Sequence, residues 1–268
     1  IFFNRLNELD SQFMLILSSC TVDDPEEDEK LRAVSAGLDR AFSMLQLQGA
    51  YDSNEFGSRL YEISAEIRGQ PAAAIPATFE KHLLAELEER RGQNVGQAFS
   101  YALFRPMSID RLNTRFTRYF FGRIERLLSE GMKLKMKHEL KELVSSRATK
   151  NGFHVEHILS RNDENLSLFD GDEERFDLER NRLGGVLLLK GKDNISSNNE
   201  VYSHKLKSYA NTLYWNETLR SDSYKSKLDF KDFAAGSKLT FRPLDKFGPV
   251  ELEERQKLLF DMSTLIWQ

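Results

Sequence analysis

Apolar residues recur at helical spacing through the first half of the chain. Phe2, Leu6, Leu9, Phe13 and Ile16 fall on one side of a helix predicted over residues 1–20. The same spacing predicts three further helices, over residues 28–48, 53–68 and 78–91, with Thr78 as the cap of the last. This part of the chain is therefore expected to be entirely helical.

A second helical region follows, and it is rich in arginine and lysine. The stretch "SIDRLNTRFTRYFFGRIERLLSEG" repeats apolar positions every three or four residues, and Gly131 is expected to end its helix. The stretch "KLKMKHELKELVSSR" predicts a short charged helix directly after it. The pattern alone assigns no purpose to these helices.

The pattern changes again after residue 150. "GFHVEHIL" is typical of a short strand, and "NRLGGVLLLKGK" of a turn followed by a buried strand. Residues 193–214 return to helical spacing, as does the closing "VELEERQKLLFDMSTLIWQ". The order strand, loop, strand, helix within a helical chain predicts an α+β, mostly helical protein.

Charge divides the 268 residues more sharply than the net value of −4 indicates. Residues 1–104 carry 9 Lys and Arg against 17 Asp and Glu, residues 105–150 carry 12 against 5, and residues 151–268 carry 17 against 20. We predict a helical scaffold or linker region over 1–104 and a second domain over 105–268. The basic stretch that opens the second domain favours an anionic partner.

Composition excludes several classes of protein. No apolar run approaches the roughly 20 residues of a membrane span, and no signal peptide opens the chain. A single cysteine, Cys20, excludes an internal disulfide framework and a cysteine-built zinc site. The simplest interpretation is a cytoplasmic protein without membrane contact.

The segment "HVEHILSRNDEN" carries the most specific chemistry. A carboxylate and a histidine, Glu156 and His157, adjoin on the first predicted strand, and Asn194 precedes the helix after the second strand. A carboxylate and an amide oxygen suit a hard divalent cation such as Mg²⁺ or Mn²⁺, and a histidine beside it can take a proton from the attacking water. This arrangement predicts a one-metal nuclease, with Glu156 and Asn194 as metal ligands and His157 as general base.

The motifs around these residues resemble the C-terminal HNH domain of GmrSD-type, type IV restriction endonucleases and of related phage-defence proteins. The resemblance covers roughly residues 100–268 and rests on "HVEHIL", "NRLGGVLLL" and "NISSNNEVYSHK", with the family positions Glu156, His157, Leu183, Gly184, Asn194, Asn199, Tyr202 and Lys205. It implies a ββα-metal (HNH) nuclease unit embedded in helices. It also implies DNA, modified or of phage origin, as substrate.

Two positions depart from the family pattern. Ser160 stands where the family has proline, and Gly185 where it has the asparagine that usually braces the loop of the catalytic histidine. Its loss is expected to slow the enzyme unless another side chain braces the loop. The alternative is a catalytically degenerate helical module that only binds DNA or a regulatory partner. If the loop is active but weakly braced, Gly185→Asn is expected to raise activity.

Further candidates surround the proposed site. His154, Asn199 and Lys205 are predicted to support the metal ligands or to contact phosphate, although capping or solvent exposure explains them equally well. The predicted DNA-binding residues are Arg111, Arg115, Arg118, Lys133, Lys135 and Lys137, and the alternative for them is a solvated helix face. None of them forms a base-recognition module, so specificity is expected to reside elsewhere.

The family usually carries a nucleotide-binding domain ahead of the nuclease. This sequence has no Gly-x-x-x-x-Gly-Lys-Ser/Thr phosphate loop and no Asp-Gly-Gln-Gln-Arg motif. Because the chain begins with Ile1, we expect it to be a fragment from which that partner domain has been removed.

Overall fold

The computed structural model describes residues 1–92, 95–145, 152–191 and 200–268. These residues are mostly helical, with a small two-stranded antiparallel sheet. The predicted fold class, α+β and mostly helical, is therefore confirmed at that level. The chain divides into two compact units, residues 1–104 with Trp267 and residues 105–266 with Gln268.

The first unit contains six α-helices and one short 3₁₀ turn within its described residues. They are α1 (Phe2–Leu6), α2 (Ser11–Ser19), α3 (Glu27–Gln46), α4 (Ser53–Glu66), the turn Ala72–Ala74, α5 (Ile75–Arg91) and α6 (Tyr101–Phe104). The long helix α3 packs against α2 and α5 and supplies much of the core of this unit.

Local chemistry explains where these helices begin and end. Asp52 caps α4 by accepting from the backbone N–H groups of Asn54 and Glu55, at 2.9 and 3.1 Å. The predicted helix over 1–20 is in fact two helices, because the chain turns at Glu8, which has a φ of +59°. Thr78 is not a cap, since α5 already begins at Ile75 with a proline in its first turn.

The second unit contains the sheet and the remaining helices. Its elements are the 3₁₀ turn Ile109–Arg111, α7 (Thr114–Gly131), α8 (Leu140–Ser145), β1 (Phe153–His157), α9 (Asp163–Ser167), α10 (Glu173–Arg180), the 3₁₀ turn Leu183–Gly185, β2 (Val186–Lys190), α11 (Tyr202–Ser208), α12 (Tyr214–Glu217), α13 (Ser221–Ser226), α14 (Leu228–Gly236) and α15 (Pro249–Trp267).

Helix α7 is a central element of this unit. It packs against α8, α12 and β2, and its buried side includes Phe116, Phe120, Ile124 and Leu128, each four residues from the next. The helix predicted directly after Gly131 begins later than expected. Lys133 has a φ of +58°, which interrupts the helix, and α8 begins only at Leu140.

The two strands form an antiparallel pair in which Phe153 lies opposite Lys190 and His157 opposite Val186. The four apolar residues of β2 from Val186 to Leu189 are all buried, as their uninterrupted apolar run predicts. The prediction of a loop between the strands is wrong in one respect, because this segment contains the helices α9 and α10. The connection between β1 and β2 therefore contains two helices of its own.

Two adjacent glycines let other backbones approach the start of β2. A Cβ on Gly184 would lie 2.7 Å from Leu252 O and Gln256 N of α15, and a Cβ on Gly185 would lie 2.5 Å from Arg180 O. The contacts are with backbone atoms, which cannot move away as a flexible side chain can. Both positions therefore require glycine for close packing.

Candidate active site

The carboxylate and imidazole of the Glu156–His157 pair lie at the end of β1. Side chains of adjacent strand residues point to opposite faces, so the two groups meet different neighbours. Glu156 faces helix α11, and His157 faces the end of α10. The backbone beyond them is held to the turn before β2 by a hydrogen bond from Ile158 N to Gly185 O, at 2.9 Å.

His157 is the first member of a chain of three hydrogen-bonded side chains. Its Nε2 lies 2.7 Å from Oδ1 of Asn181, and Nδ2 of Asn181 donates to Oδ2 of Asp110 at 2.8 Å. Residues 107–109 run beside 181–183, with hydrogen bonds from Ile109 N to Asn181 O and from Leu183 N to Met107 O. This backbone pairing brings Asp110, 71 residues away in sequence, to the site.

The chain of hydrogen bonds fixes the tautomer of His157. The carboxylate of Asp110 only accepts, so Asn181 must direct its NH₂ group to Asp110 and its oxygen to His157. Nε2 of His157 therefore carries the hydrogen, and Nδ1 carries the lone pair. Among the residues that the structure describes, Nδ1 has no hydrogen-bond partner.

Burial also keeps His157 neutral. It lowers the pKa of the imidazole to about 4, and the nearby cation of Arg180 acts in the same direction. The hydrogen bond to Asn181 opposes this shift only in part. At neutral pH the ring is thus an unprotonated acceptor, which is the state that a general base requires.

Glu156 forms a buried ion pair with Lys205 of α11. Nζ of Lys205 lies 2.5 Å from Oε1 of Glu156 and 2.7 Å from the carbonyl oxygen of His157. Lys205 is 1% exposed and Glu156 is 6% exposed. Burial raises the pKa of Glu156 and lowers that of Lys205, and the contact between the two groups opposes both shifts.

Asn181 provides an amide contact to His157 of the kind that the family pattern places at position 185. The amide oxygen against His157 comes from the end of α10, four residues before Gly185. Gly185 has no positive φ, and a side chain there would collide with the backbone of Arg180. This packing argues against an improvement of the site by Gly185→Asn, which stays a prediction to be tested.

The remaining predicted site residues lie as follows. Asn194 and Asn199 fall outside the described residues, so their roles stay predictions. His154 lies on β1, half-buried and opposite Leu189. The buried Nζ of Lys205 is directed at Glu156 rather than at the surface, as a group that supports the site would be.

The six predicted DNA-binding residues do not form one band. Arg111 and Arg115 are exposed near Asp110, at the start of α7, whereas Lys133, Lys135 and Lys137 follow its other end. The 18 residues of α7 span about 27 Å between these groups. Only the arginine group adjoins the Asp110–Asn181–His157 chain.

Several of these six cations lie close to acidic or aromatic protein groups, and one of them is half-buried. Nζ of Lys137 lies 2.8 Å from Glu217 and over the ring of Tyr214. Lys133 lines a surface pocket together with Asp229 and Asp232. Arg118 is half-buried, and burial lowers its pKa. Their role in DNA binding stays a prediction.

Sequence reasoning missed Asn181, Asp110 and Arg180. One signal was present, because Asn181 lies between two arginines at the end of a helical stretch and just before the turn into β2. Asp110 gave no comparable signal, since only the pairing of two distant segments brings it to the site.

Glu156 already holds one cation, the ammonium of Lys205. That ammonium contacts Oε1, and the hydrogen bonds of the described residues leave Oε2 without a donor. A carboxylate oxygen is the type of ligand that Mg²⁺ and Mn²⁺ prefer. Within the described ranges, no three His, Cys, Asp or Glu side chains cluster as a complete metal site. A metal here would accordingly need further donors, such as an amide oxygen or water.

Comparison with protein families identifies the class of this chain. Residues 105–262, more than half of it, match the family described as "GmrSD restriction endonucleases, C-terminal domain". The chain belongs to this family, as its motifs predicted, and the family is one of nucleases from restriction proteins. Comparison with curated proteins gives no match, and neither does comparison with solved structures. In the part of the chain that the structure describes, no helix has the length and apolar character to cross a bilayer.

Proposed function

We propose that this chain is a metal-dependent DNA endonuclease of the HNH type, which nicks or cleaves phage or modified DNA as part of a restriction protein. The observation that carries the proposal is the chain His157–Asn181–Asp110, which leaves a neutral imidazole with Nδ1 available. The antiparallel strands and helix α11, which directs Lys205 to Glu156, support a ββα arrangement.

In this proposal His157 activates the attacking water. Its Nδ1 takes a proton from water as the water oxygen bonds to phosphorus and the bond from phosphorus to the leaving sugar oxygen breaks. Solvent protonates that leaving oxygen, and the hydrogen bond from Nε2 to Asn181 stabilises the resulting imidazolium. Asp110 holds the amide of Asn181 in the required orientation. A phosphate bound nearby raises the pKa of His157, because a negative charge favours the protonated ring.

Glu156 is proposed to hold a Mg²⁺ or Mn²⁺ ion together with Asn194. Such an ion, when bound, stabilises the negative charge that develops on the phosphate and the leaving oxygen. The chain's own contribution is a carboxylate fixed at the end of β1 beside the proton acceptor.

DNA is proposed to approach past Arg111 and Arg115, because both cations are exposed and follow Asp110 closely in sequence. Contacts of this kind bind the phosphate backbone and carry no sequence information. The nucleotide-binding domain expected ahead of this chain remains a proposed partner, and so does any domain that recognises a modification.

A binding-only or regulatory module is the second candidate. It rests on Gly185, which lacks the amide that the family places there. Asn181 supplies an amide oxygen to His157 by another route, so this departure no longer argues for an inactive site.

A plasmid-nicking assay separates the two candidates. The chain is incubated with supercoiled plasmid in EDTA, in Mg²⁺ and in Mn²⁺, and His157→Ala is compared with His204→Ala, an exposed histidine on α11. We expect metal-dependent nicking that His157→Ala lowers by on the order of 10²–10⁴-fold. Wild-type nicking by a folded His157→Ala protein would refute the role of His157, and DNA binding without any nicking would support the binding module.

A further inference from the structure

Lys205 is a buried cation whose contacts all lead to the proposed catalytic pair. It projects from α11 on the same side as Tyr202 and Tyr209, which are also buried. Its Nζ contacts the carboxylate of Glu156 and the carbonyl oxygen of His157. Lys205 as a whole is only 1% exposed, so solvent does not compensate the charge of its ammonium group.

The charges around this pair make each member depend on the other. Arg180 of α10 also acts on both Glu156 and Lys205, and the carboxylate of Glu200 acts on Lys205. Arg180 itself donates to Leu159 O and lies near Asp177, so it is already engaged. Lys205 is therefore the main direct counter-ion of Glu156 among the described residues.

We propose that Lys205 is a positioning residue that acts as the internal counter-ion of Glu156 until a divalent cation binds. This inference rests on the proposed function, in which Glu156 holds the metal. The ammonium keeps the carboxylate charged and in place, because a buried carboxylate without a partner is strongly destabilising. It contacts Oε1 and leaves Oε2 to the incoming ion.

Two measurable consequences follow from this role. Without metal, removal of the ammonium leaves Glu156 as an unpaired buried charge, so the protein loses stability. With metal, the divalent ion takes over the neutralisation of Glu156, so it should stabilise a variant without Lys205 more than it stabilises the wild type. A lysine that only bound DNA phosphate would produce neither effect in the absence of DNA.

The experiment compares Lys205→Met with Lys207→Met, an exposed lysine two residues farther along the chain. Thermal unfolding is measured in EDTA and over a series of Mn²⁺ concentrations without DNA, and bound Mn²⁺ is counted by electron paramagnetic resonance. In EDTA we expect Lys205→Met to lower Tm by on the order of 10 °C, with little change for Lys207→Met. Saturating Mn²⁺ should then raise the Tm of Lys205→Met by more than that of the wild type.

A double variant tests the charge pairing if Lys205→Met alone is too unstable to study. Glu156→Gln combined with Lys205→Met removes both charges, and it should recover much of the lost Tm in EDTA while binding no Mn²⁺. Equal Mn²⁺-induced gains in Tm for Lys205→Met and a wild type that binds Mn²⁺ and nicks DNA would overturn the counter-ion role alone. A wild type that neither binds Mn²⁺ nor nicks DNA would instead overturn the proposed function.

Discussion

Asn181 and His157 are joined by a hydrogen bond of 2.7 Å between Oδ1 and Nε2, and Asp110 fixes the direction of the amide. An amide oxygen thus reaches His157 although position 185, where the family has asparagine, is glycine. His157, the proposed general base, is contacted from the end of α10 rather than from the turn into β2.

Asn181→Ala should lower the single-turnover rate of nicking by roughly 10–100-fold, because groups that orient a catalytic side chain typically contribute that much. DNA affinity should stay unchanged, since Asn181 is not among the predicted DNA contacts. The ¹⁵N chemical shifts of His157 should show the loss of the single Nε2–H tautomer, which a general loss of stability would not cause.

Asp110→Asn keeps an oxygen acceptor and should reduce the rate less than Asp110→Ala. Equal losses for both Asp110 variants would argue against an orienting role.

Gly185→Asn should destabilise the protein and should not increase nicking. The new Cβ would lie 2.5 Å from Arg180 O, and overpacking of this kind typically costs about 1–3 kcal/mol. Gly185→Ala should cost nearly as much, because the Cβ itself causes the collision. Gly236→Ala is the control, since a Cβ there meets nothing within 4 Å. A stable Gly185→Asn protein with faster nicking would show that the close packing at Gly185 relaxes easily.

Glu125 should make stability depend on pH in an unusual direction. This carboxylate is fully buried on α7 and accepts from the N–H groups of Tyr214 and Trp215, yet burial raises its pKa from 4.5 to about 7. Between these values the folded state retains a proton that the unfolded state has lost, so stability falls as pH rises through this window. The decrease should reach about 3 kcal/mol.

Urea unfolding at pH 4.5, 6 and 8 measures this contribution. Glu125→Gln cannot titrate, and its free energy of unfolding should decrease less over this range than that of the wild type. Glu164→Gln, an exposed carboxylate on α9, should behave as the wild type does. The same pH dependence in Glu125→Gln and wild type would place the titration elsewhere.

Arg111→Ala with Arg115→Ala should weaken binding to all DNA sequences alike. If both arginines contact phosphate, the slope of log affinity against log salt should decrease by about 1.8, at about 0.9 for each contact with duplex DNA. Lys137→Ala should instead lower Tm more than DNA affinity, because its ammonium is paired with Glu217. Gel-shift titrations at several salt concentrations, with Tm measured beside them, distinguish these outcomes. An unchanged slope in the arginine double variant would mean that Arg111 and Arg115 contact solvent rather than DNA phosphate.

The sequence predicted those parts of the fold that depend on local pattern. The apolar run from Val186 to Leu189 and the segment around His157 are strands, and α7 and α15 lie where their apolar spacing placed them. Errors arose where one residue changes the backbone direction. Glu8 divides the first predicted helix, and Lys133 delays the start of α8.

The site was predictable only in part, because some of its contacts join distant segments. Glu156 and His157 adjoin in sequence, and their residue types alone indicate metal and proton chemistry. The Asp110–Asn181 contact depends on the pairing of residues 107–109 with 181–183, which no local pattern records. The pattern likewise shows that Lys205 lies on a helix, but not that its ammonium is directed inward to Glu156.

The close approach at Gly184 has a consequence for any shortened form of this protein. Gln256 of α15 accepts from the N–H of Gly184 at 2.6 Å, and its amide group donates to the carbonyl oxygens of Arg105 and Met107. One side chain near the carboxyl terminus thus ties together the two segments that bring Asp110 to His157. Truncation before Pro249 should therefore inactivate the enzyme although every proposed catalytic residue remains, and a separately added peptide spanning α15 is a rational way to restore it.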